Sequence, residues 1–281
     1  MEKIKISADS TSDLSKDIIS EFDINIIPLL IETDNASYRD GIDITPDALF
    51  DLVENKGQFC HTTAVNAFQY HEEFTRLLKT NDAVIHICLS SDMSACYQNA
   101  CTAAAELENV YVLDSKNLSS ATGHLVYEAA LMARDGIEPK KIFEELTKLS
   151  IKLEASFIID TLEYLKRGGR CSAIKAFSAA VLKLKPCIEV IDGKMTVGNT
   201  FRGSLEVCLK RYVKQRLKDR SDIDCRRVFI TTTGCSRNII DMVEDSVKKY
   251  GNFETIIETQ AGCTISAHCG PNTLGILFFK K

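Results

Sequence analysis

The chain carries none of the short signatures that announce an enzyme. Gly-x-x-x-x-Gly-Lys-Ser/Thr, Gly-x-Gly-x-x-Gly, Gly-x-Ser-x-Gly and His-Glu-x-x-His are all missing. Nothing in the pattern therefore points to a P-loop, a dinucleotide fold, a nucleophile elbow or a zinc-protease helix. Positive charge is not in excess: 34 Lys and Arg face 39 Asp and Glu, a net charge of −5, which gives no footing for general nucleic-acid binding. No apolar run is long enough to span a bilayer. Met1-Glu2-Lys3-Ile4 leads straight into a strand pattern and not into a secretory leader, so a cytoplasmic location is expected. The eleven cysteines include no Cys-x-x-Cys pair, and their number is odd. Reduced thiols serving as small hydrophobes are the expectation. Cys60-His61 and His268-Cys269 lack a spaced partner pair, so no metal is expected.

What the chain does contain is a globular composition, 45% hydrophobic and 26% charged over 281 residues, enough for a sizeable core. Strand patterns alternate with helix patterns, and the loops after the strands are rich in hydroxyls. Lys3–Ala8 reads as a strand, followed by Asp9-Ser10-Thr11-Ser12-Asp13. A helix over Leu14–Phe22 would be capped by Asp13 or Ser12. Asn25–Glu32 reads as a second strand made irregular by Pro28. Thr45-Pro46-Asp47 opens a helix. Thr62 and Thr63 fall in a loop ahead of a helix over Ala67–Leu78. Ala83–Leu89 is a buried strand ending in Ser90-Ser91-Asp92-Met93-Ser94, with a helix beyond it. Val110–Leu113 is a strand, and long helices run to Arg134 and from Pro139 to Leu153. Alternation of this kind predicts a mostly parallel sheet with flanking helices. Ligands of such sheets sit outside the carboxyl ends of the strands.

The pattern changes near Lys152–Ala155. The expectation is an α/β chain of two domains, residues 1–153 and a mixed α+β domain 154–281. Cys171–Leu184 reads as helical, and Pro186–Val190 with Lys194–Val197 as a hairpin about Asp192-Gly193. A helix, strand, helix and strand follow. Ala261–Phe279 places His268 on a Gly270-Pro271 loop ahead of a buried strand.

Three chemistries compete. Ser94 with His268 would imitate a hydrolase dyad. Asp9 and Asp114 at strand ends would suit a phosphoryl-transfer or metal site, or only turn and cap chemistry. The third is a set of neutral donors, Thr62, Thr63, Ser90, Ser91, Ser94 and His268, that binds a carboxylate without the cost of burying a counter-charge. Ile158, Leu162, Phe177, Val181, Leu182, Ile188, Ile276 and Phe278 are candidates to surround an apolar tail, or simply core. In Arg167-Gly168-Gly169-Arg170, Gly168 would cap a helix C-terminus. The same loop, with Arg202, offers cations to a phosphate, an acidic partner or a membrane surface.

Asp9-Ser10-Thr11-Ser12-Asp13, Asp40-Gly41, Thr62-Thr63, Ser90-Ser91 through Ser94 and Tyr97, Leu165–Arg170, Lys185-Pro186, Arg202-Gly203 and His268-Cys269-Gly270-Pro271 together resemble the DegV family over the whole length. The resemblance implies a bacterial, non-catalytic lipid-binding protein that needs no cofactor. A long-chain fatty acid would lie in a buried tunnel between the two domains, its carboxylate held by Thr62, Thr63, Ser94 and His268. Arg170 and Arg202 are candidates for contact with a phosphate or a partner. It further implies presentation of the acyl group to the ATP-binding subunit of a fatty acid kinase, feeding phospholipid synthesis. A stand-alone hydrolase or phosphotransferase, and a lipid sensor with no kinase, are the alternatives. The chain departs from the family pattern at Ala64-Val65-Asn66, where a proline is lost, and at Ala95-Cys96, in place of Gly-Thr.

Overall fold

The computed structural model describes residues 2–170 and 184–281. Strand β1 (Ile4–Asp9) runs into a 3-10 turn, Ser10–Ser12. Asp13 then takes a left-handed conformation, φ 49°. The next helix, α1 (Lys16–Glu21), starts later than the pattern suggested. Its cap is Ser15, whose Oγ accepts from Ile18 N–H at 3.3 Å. Asp13 and Ser12 are buried, and Asp13 is hydrogen-bonded to Ser119 and Gly262.

The predicted strand Asn25–Glu32 is two strands in two sheets. β2 (Asn25–Ile27) pairs in parallel with β1. β3 (Leu30–Glu32) pairs antiparallel with β4 (Ser37–Arg39) and with β5 (His61–Thr63). Pro28 lies at the break and has no N–H to give either ladder. Helix α2 (Pro46–Glu54) begins on the predicted cap, Thr45.

Helix α3 (Ala67–Leu78) matches its predicted span and is closed by an Asn66–Gln69 capping box. Tyr70, Phe74 and Leu77 form its buried stripe, while Phe68 is exposed. β6 (Ala83–Cys88) is buried at every position. Both of its faces are covered, as parallel sheets require. Val84 and Cys88 pack toward α3 and toward α4 (Cys96–Ala104). Ile85 and Ile87 pack toward the helices that follow β7 (Val110–Asp114), namely α5 (Ser119–Arg134) and α6 (Pro139–Ser150). The first sheet has the order β2-β1-β6-β7, parallel throughout.

The second sheet is mixed, as expected. β8 (Leu153–Ile158) leads to α7 (Glu163–Gly168). The predicted hairpin is β9 (Leu184–Ile191) with β10 (Lys194–Arg202). After it come α8 (Leu205–Leu217), β11 (Ile223–Thr233), α9 (Arg237–Tyr250), β12 (Thr255–Gln260), α10 (Cys263–Cys269) and β13 (Thr273–Lys280). The order is β10-β9-β8-β13-β11-β12, antiparallel except between β11 and β12. The helical reading of Cys171–Leu184 falls almost wholly outside the described residues, as do Phe177, Val181 and Leu182.

Helix α5 joins the two sheets. Ala121, Leu125, Val126 and Ala129 are buried in one cluster with Ile85 and Ile87 of the first sheet and Phe229 and Leu277 of the second. Burial of a single leucine of this kind contributes about 1.5–3 kcal/mol. Gly123 is the point of closest approach, since a Cβ there would lie 2.5 Å from the Ser12 carbonyl oxygen. Glu128, one turn on, accepts from both Nη atoms of Arg227 on β11 at 3.1 and 3.0 Å. Among the described residues, no helix is long and apolar enough to cross a membrane.

Candidate functional site

Strand parity sorts the hydroxyls that sequence reasoning grouped together. Thr62 and Thr63 are consecutive on β5, so they point to opposite faces. Thr62 Oγ1 lies 2.8 Å from His268 Nε2. Thr63 Oγ1 instead donates to Glu32 Oε2 at 2.8 Å. Both sit on a strand and not in a loop, because β3 supplies the pairing partner.

Thr62, Ser94, His268 and Arg170 line one cavity of about 170 Å³. Thr63 and Arg202 are not among its lining residues. Arg202 is exposed at the end of β10, opposite Leu184. The walls are otherwise largely apolar, with Leu29, Leu89, Met93, Leu118, Met195 and Ile265. A smaller apolar space of about 20 Å³ shares Leu118, Ile265 and Cys269 with it and reaches inward to Phe157, Gly275 and Leu277.

Among the described residues, these walls are not the ones proposed from sequence. On β13 the period of two sends Gly275 and Leu277 toward this space. Ile276 and Phe278 go to the opposite face, in a core cluster with Ile158, Leu209 and Val213. Leu162 and Ile188 pack in the cluster that also contains Leu29 and Met93.

His268 lies in the last turn of α10, not on the Gly270-Pro271 loop. No side chain of α10's own cap residue, Gly262, can satisfy the first backbone N–H groups. Two aspartate side chains from the first half of the chain do so. Asp13 Oδ1 accepts from Gly262 N–H at 2.8 Å. Asp40 accepts from Cys263 N–H at 2.7 Å and from Thr264 N–H at 3.1 Å. Ser119 Oγ donates to Asp13 at 2.5 Å and Ser10 Oγ to Asp40 at 3.0 Å. The helix is thus clamped at one end and presents His268 at the other.

Burial raises Asp13 to about 8, with Asp40 adding to the shift, against the opposing hydrogen bonds from Ser119 and Gly262. The folded chain therefore holds a proton that the unfolded chain releases near pH 3.8. The stability this supplies is complete below that pH and is lost as pH rises toward about 8. Asp13→Asn, a permanent neutral stand-in, is expected to flatten the fall in urea-unfolding midpoint between pH 5 and 8.5. An unchanged slope would contradict this assignment.

The ring of His268 is pushed down to about 4 by burial and by the nearby Arg170 guanidinium, so it is neutral at neutral pH. Its Nδ1 is buried with no partner among the described residues, facing Gly168. A Cβ at Gly168 would lie 2.2 Å from that Nδ1. Gly168 therefore makes room for the imidazole, and the helix C-cap falls to Gly169, at φ 70°.

Ser94 Oγ accepts from Cys96 N–H at 3.3 Å and meets Cys96 Sγ at 3.2 Å. It makes no bond to His268, whose Nε2 faces Thr62, so the hydrolase dyad is not assembled. The two departures near this loop are accommodated. Ala95 has φ −76°, which needs no glycine, and Asn66 serves as the cap of α3.

The phosphoryl-transfer candidates are also occupied. Asp9 is fully buried, accepting from Tyr70 Oη at 2.5 Å and Leu89 N–H at 3.3 Å. Asp114 accepts from Ser91 and Lys116 N–H and pairs with Lys116. Among the described residues, the set able to offer three metal-ligand atoms is Asp9, His86 and Cys88, not the Cys-His pairs singled out from sequence.

Thr62 and His268 also line an outer cleft, together with Phe59, His61, Tyr164, Arg167 and Arg170. Thr62, Arg170 and His268 border both spaces. Arg170 Nη1 donates to the Gly168 carbonyl at 2.8 Å, which folds the guanidinium back over the end of α7.

Comparison with known proteins gives one consistent picture. A family model described as an uncharacterised protein of the DegV family matches residues 3–281. A DegV domain-containing protein of Caldanaerobacter subterraneus subsp. tengcongensis is 32% identical over 284 residues, covering 100% of both chains. A fatty-acid-binding DegV family protein of Thermus thermophilus superposes with a TM-score of 0.88 at 27% identity, covering 99% of this chain and 100% of that one. A stearic-acid-binding protein of Eubacterium ventriosum gives 0.85 at 26% identity, with 99% and 98% covered.

Proposed function

The chain belongs to the DegV family, and from that premise we propose that it binds a long-chain fatty acid between its two halves, residues 1–153 and 154–281. The observation that carries the reading is a set of neutral groups, Thr62, Ser94 and His268, on one apolar cavity. Such donors hold a carboxylate without a buried counter-ion, whose desolvation would be costly. The apolar extension past Ile265 and Cys269 gives a direction for the acyl tail. At about 170 Å³ the cavity is below the roughly 300 Å³ of small-molecule sites, so the tail must displace side chains. Met93 and Met195 are the adaptable ones.

Presentation of the head group to a separate ATP-dependent kinase, with acyl phosphate as product, is supported by the outer cleft. It borders the head-group site and carries Arg167 and Arg170. Transient contact with a membrane surface would load the ligand. A stand-alone hydrolase finds no support in the geometry, because Ser94 and His268 are not paired.

The test is mass spectrometry of an organic extract and of the intact native protein. About one fatty acid per chain, released on denaturation, is the expected result. A protein that carries none and takes up none across chain lengths would overturn the reading. Acyl-phosphate formation on adding ATP and a fatty acid kinase subunit would extend it, and its absence would leave a lipid sensor.

A further inference from the structure

Thr264 was not singled out by any sequence pattern. It is 4% exposed, and its Oγ1 is buried with no hydrogen-bond partner among the described residues. It lines the same cavity as Thr62, Ser94 and His268. Buried hydroxyls are rarely left unpaired, since an unmade bond forfeits the hydration the group had in water. The backbone beneath it is firmly held, with Thr264 N–H donating to Asp40 Oδ2 at 3.1 Å. The side chain is thus presented at a fixed place with its hydrogen-bonding capacity unspent.

Thr264 and His268 are four residues apart on α10 and share one helix face, with Cβ atoms about 5–6 Å apart. A carboxylate placed between them can direct one oxygen to Thr62 and His268 and the other along the helix to Thr264. We propose that Thr264 is a fourth head-group ligand of the cavity, its hydroxyl donating to the second carboxylate oxygen. This rests on the fatty-acid reading above and adds a residue to it.

The experiment compares wild type with Thr264→Val, which replaces the hydroxyl by a methyl of similar size, and with Thr264→Ser, which keeps it. Delipidated protein is titrated with palmitate and with hexadecanol, and melted without ligand. Loss of one donor to a charged acceptor is expected to weaken palmitate roughly ten-fold or more. Hexadecanol affinity should be nearly unchanged, and Thr264→Ser should retain wild-type palmitate affinity.

Without ligand, Thr264→Val should melt at least as high as wild type, because an unpaired buried hydroxyl has been removed. A residue with a merely structural role would show the reverse. Unchanged palmitate affinity in Thr264→Val, or a lower melting temperature without ligand, would overturn the assignment. If wild type binds neither lipid, the fatty-acid reading fails separately, and the ligand-free melt still judges whether the hydroxyl is free for a cavity ligand.

Discussion

Thr62→Val combined with Ser94→Ala is expected to weaken fatty-acid binding by about 10²–10⁴-fold. A hydrogen bond to a charged group contributes about 1.5–3 kcal/mol, so two amount to roughly 3–6 kcal/mol, at about 1.4 kcal/mol per factor of ten. The effect is large because, among the described residues, the cavity has no buried cation to fall back on. Its neighbouring Arg170 is exposed and turned to the Gly168 carbonyl. Thr62→Val also strips His268 Nε2 of its partner, so the ring loses its orientation along with the ligand's donor. Thr63→Ala is the internal control. Its hydroxyl is spent on Glu32, and affinity should stay within about a factor of two. Isothermal titration with palmitate decides between them. Binding that tolerates the double variant but fails in Thr63→Ala would place the head group on the other face of β5.

Glu128→Ala is expected to lower stability by about 3–5 kcal/mol, the cost of leaving a buried charge without its partner. Glu128 is 7% exposed on α5. It accepts from Arg227 at 3.0 Å and lies 3.5 Å from Arg226. The Arg227 guanidinium also stacks 3.9 Å over the Tyr127 ring, so it has no easy route to water. A chain of this size should lose roughly 10 °C in melting temperature. Replacing both partners, Glu128→Leu with Arg227→Met, should recover most of that loss, because two apolar groups leave nothing unpaired. Melting curves of the single and double variants give the answer. A single variant that melts within about 2 °C of wild type would show that the pair does not tie α5 to the second sheet.

Much of the chain was legible from local pattern. The strand at Ala83–Leu89, the helix at Ala67–Leu78, the hairpin about Asp192-Gly193 and the antiparallel character of the second sheet all follow from short-range periodicity and turn chemistry. These properties depend on neighbours within one or two turns. Thr62, Thr63, Ser94 and His268 could be named as a group because short motifs carried a family resemblance, and of these Thr63 is turned away to Glu32.

Other features had no local signal. α10 begins without a capping side chain of its own, so its sequence reads as loop around Gly270 and Pro271. The caps are Asp13 and Asp40, more than two hundred residues away. The split at Pro28 needed a third sheet to receive Leu30–Glu32. The separation of Thr62 from Thr63 needed β3, which turns a polar loop into a strand and puts adjacent hydroxyls on opposite faces. Thr264 became visible only as a buried oxygen without a partner among the described residues.

Alone, the sequence determined the strands and helices with strong local periodicity and which residue types were on offer for an anion. Tertiary structure decided which hydroxyls share the cavity, because that depends on long-range register and on backbone donors satisfied from distant parts of the chain. Periodicity encodes an element's own buried face but not the face of its neighbour.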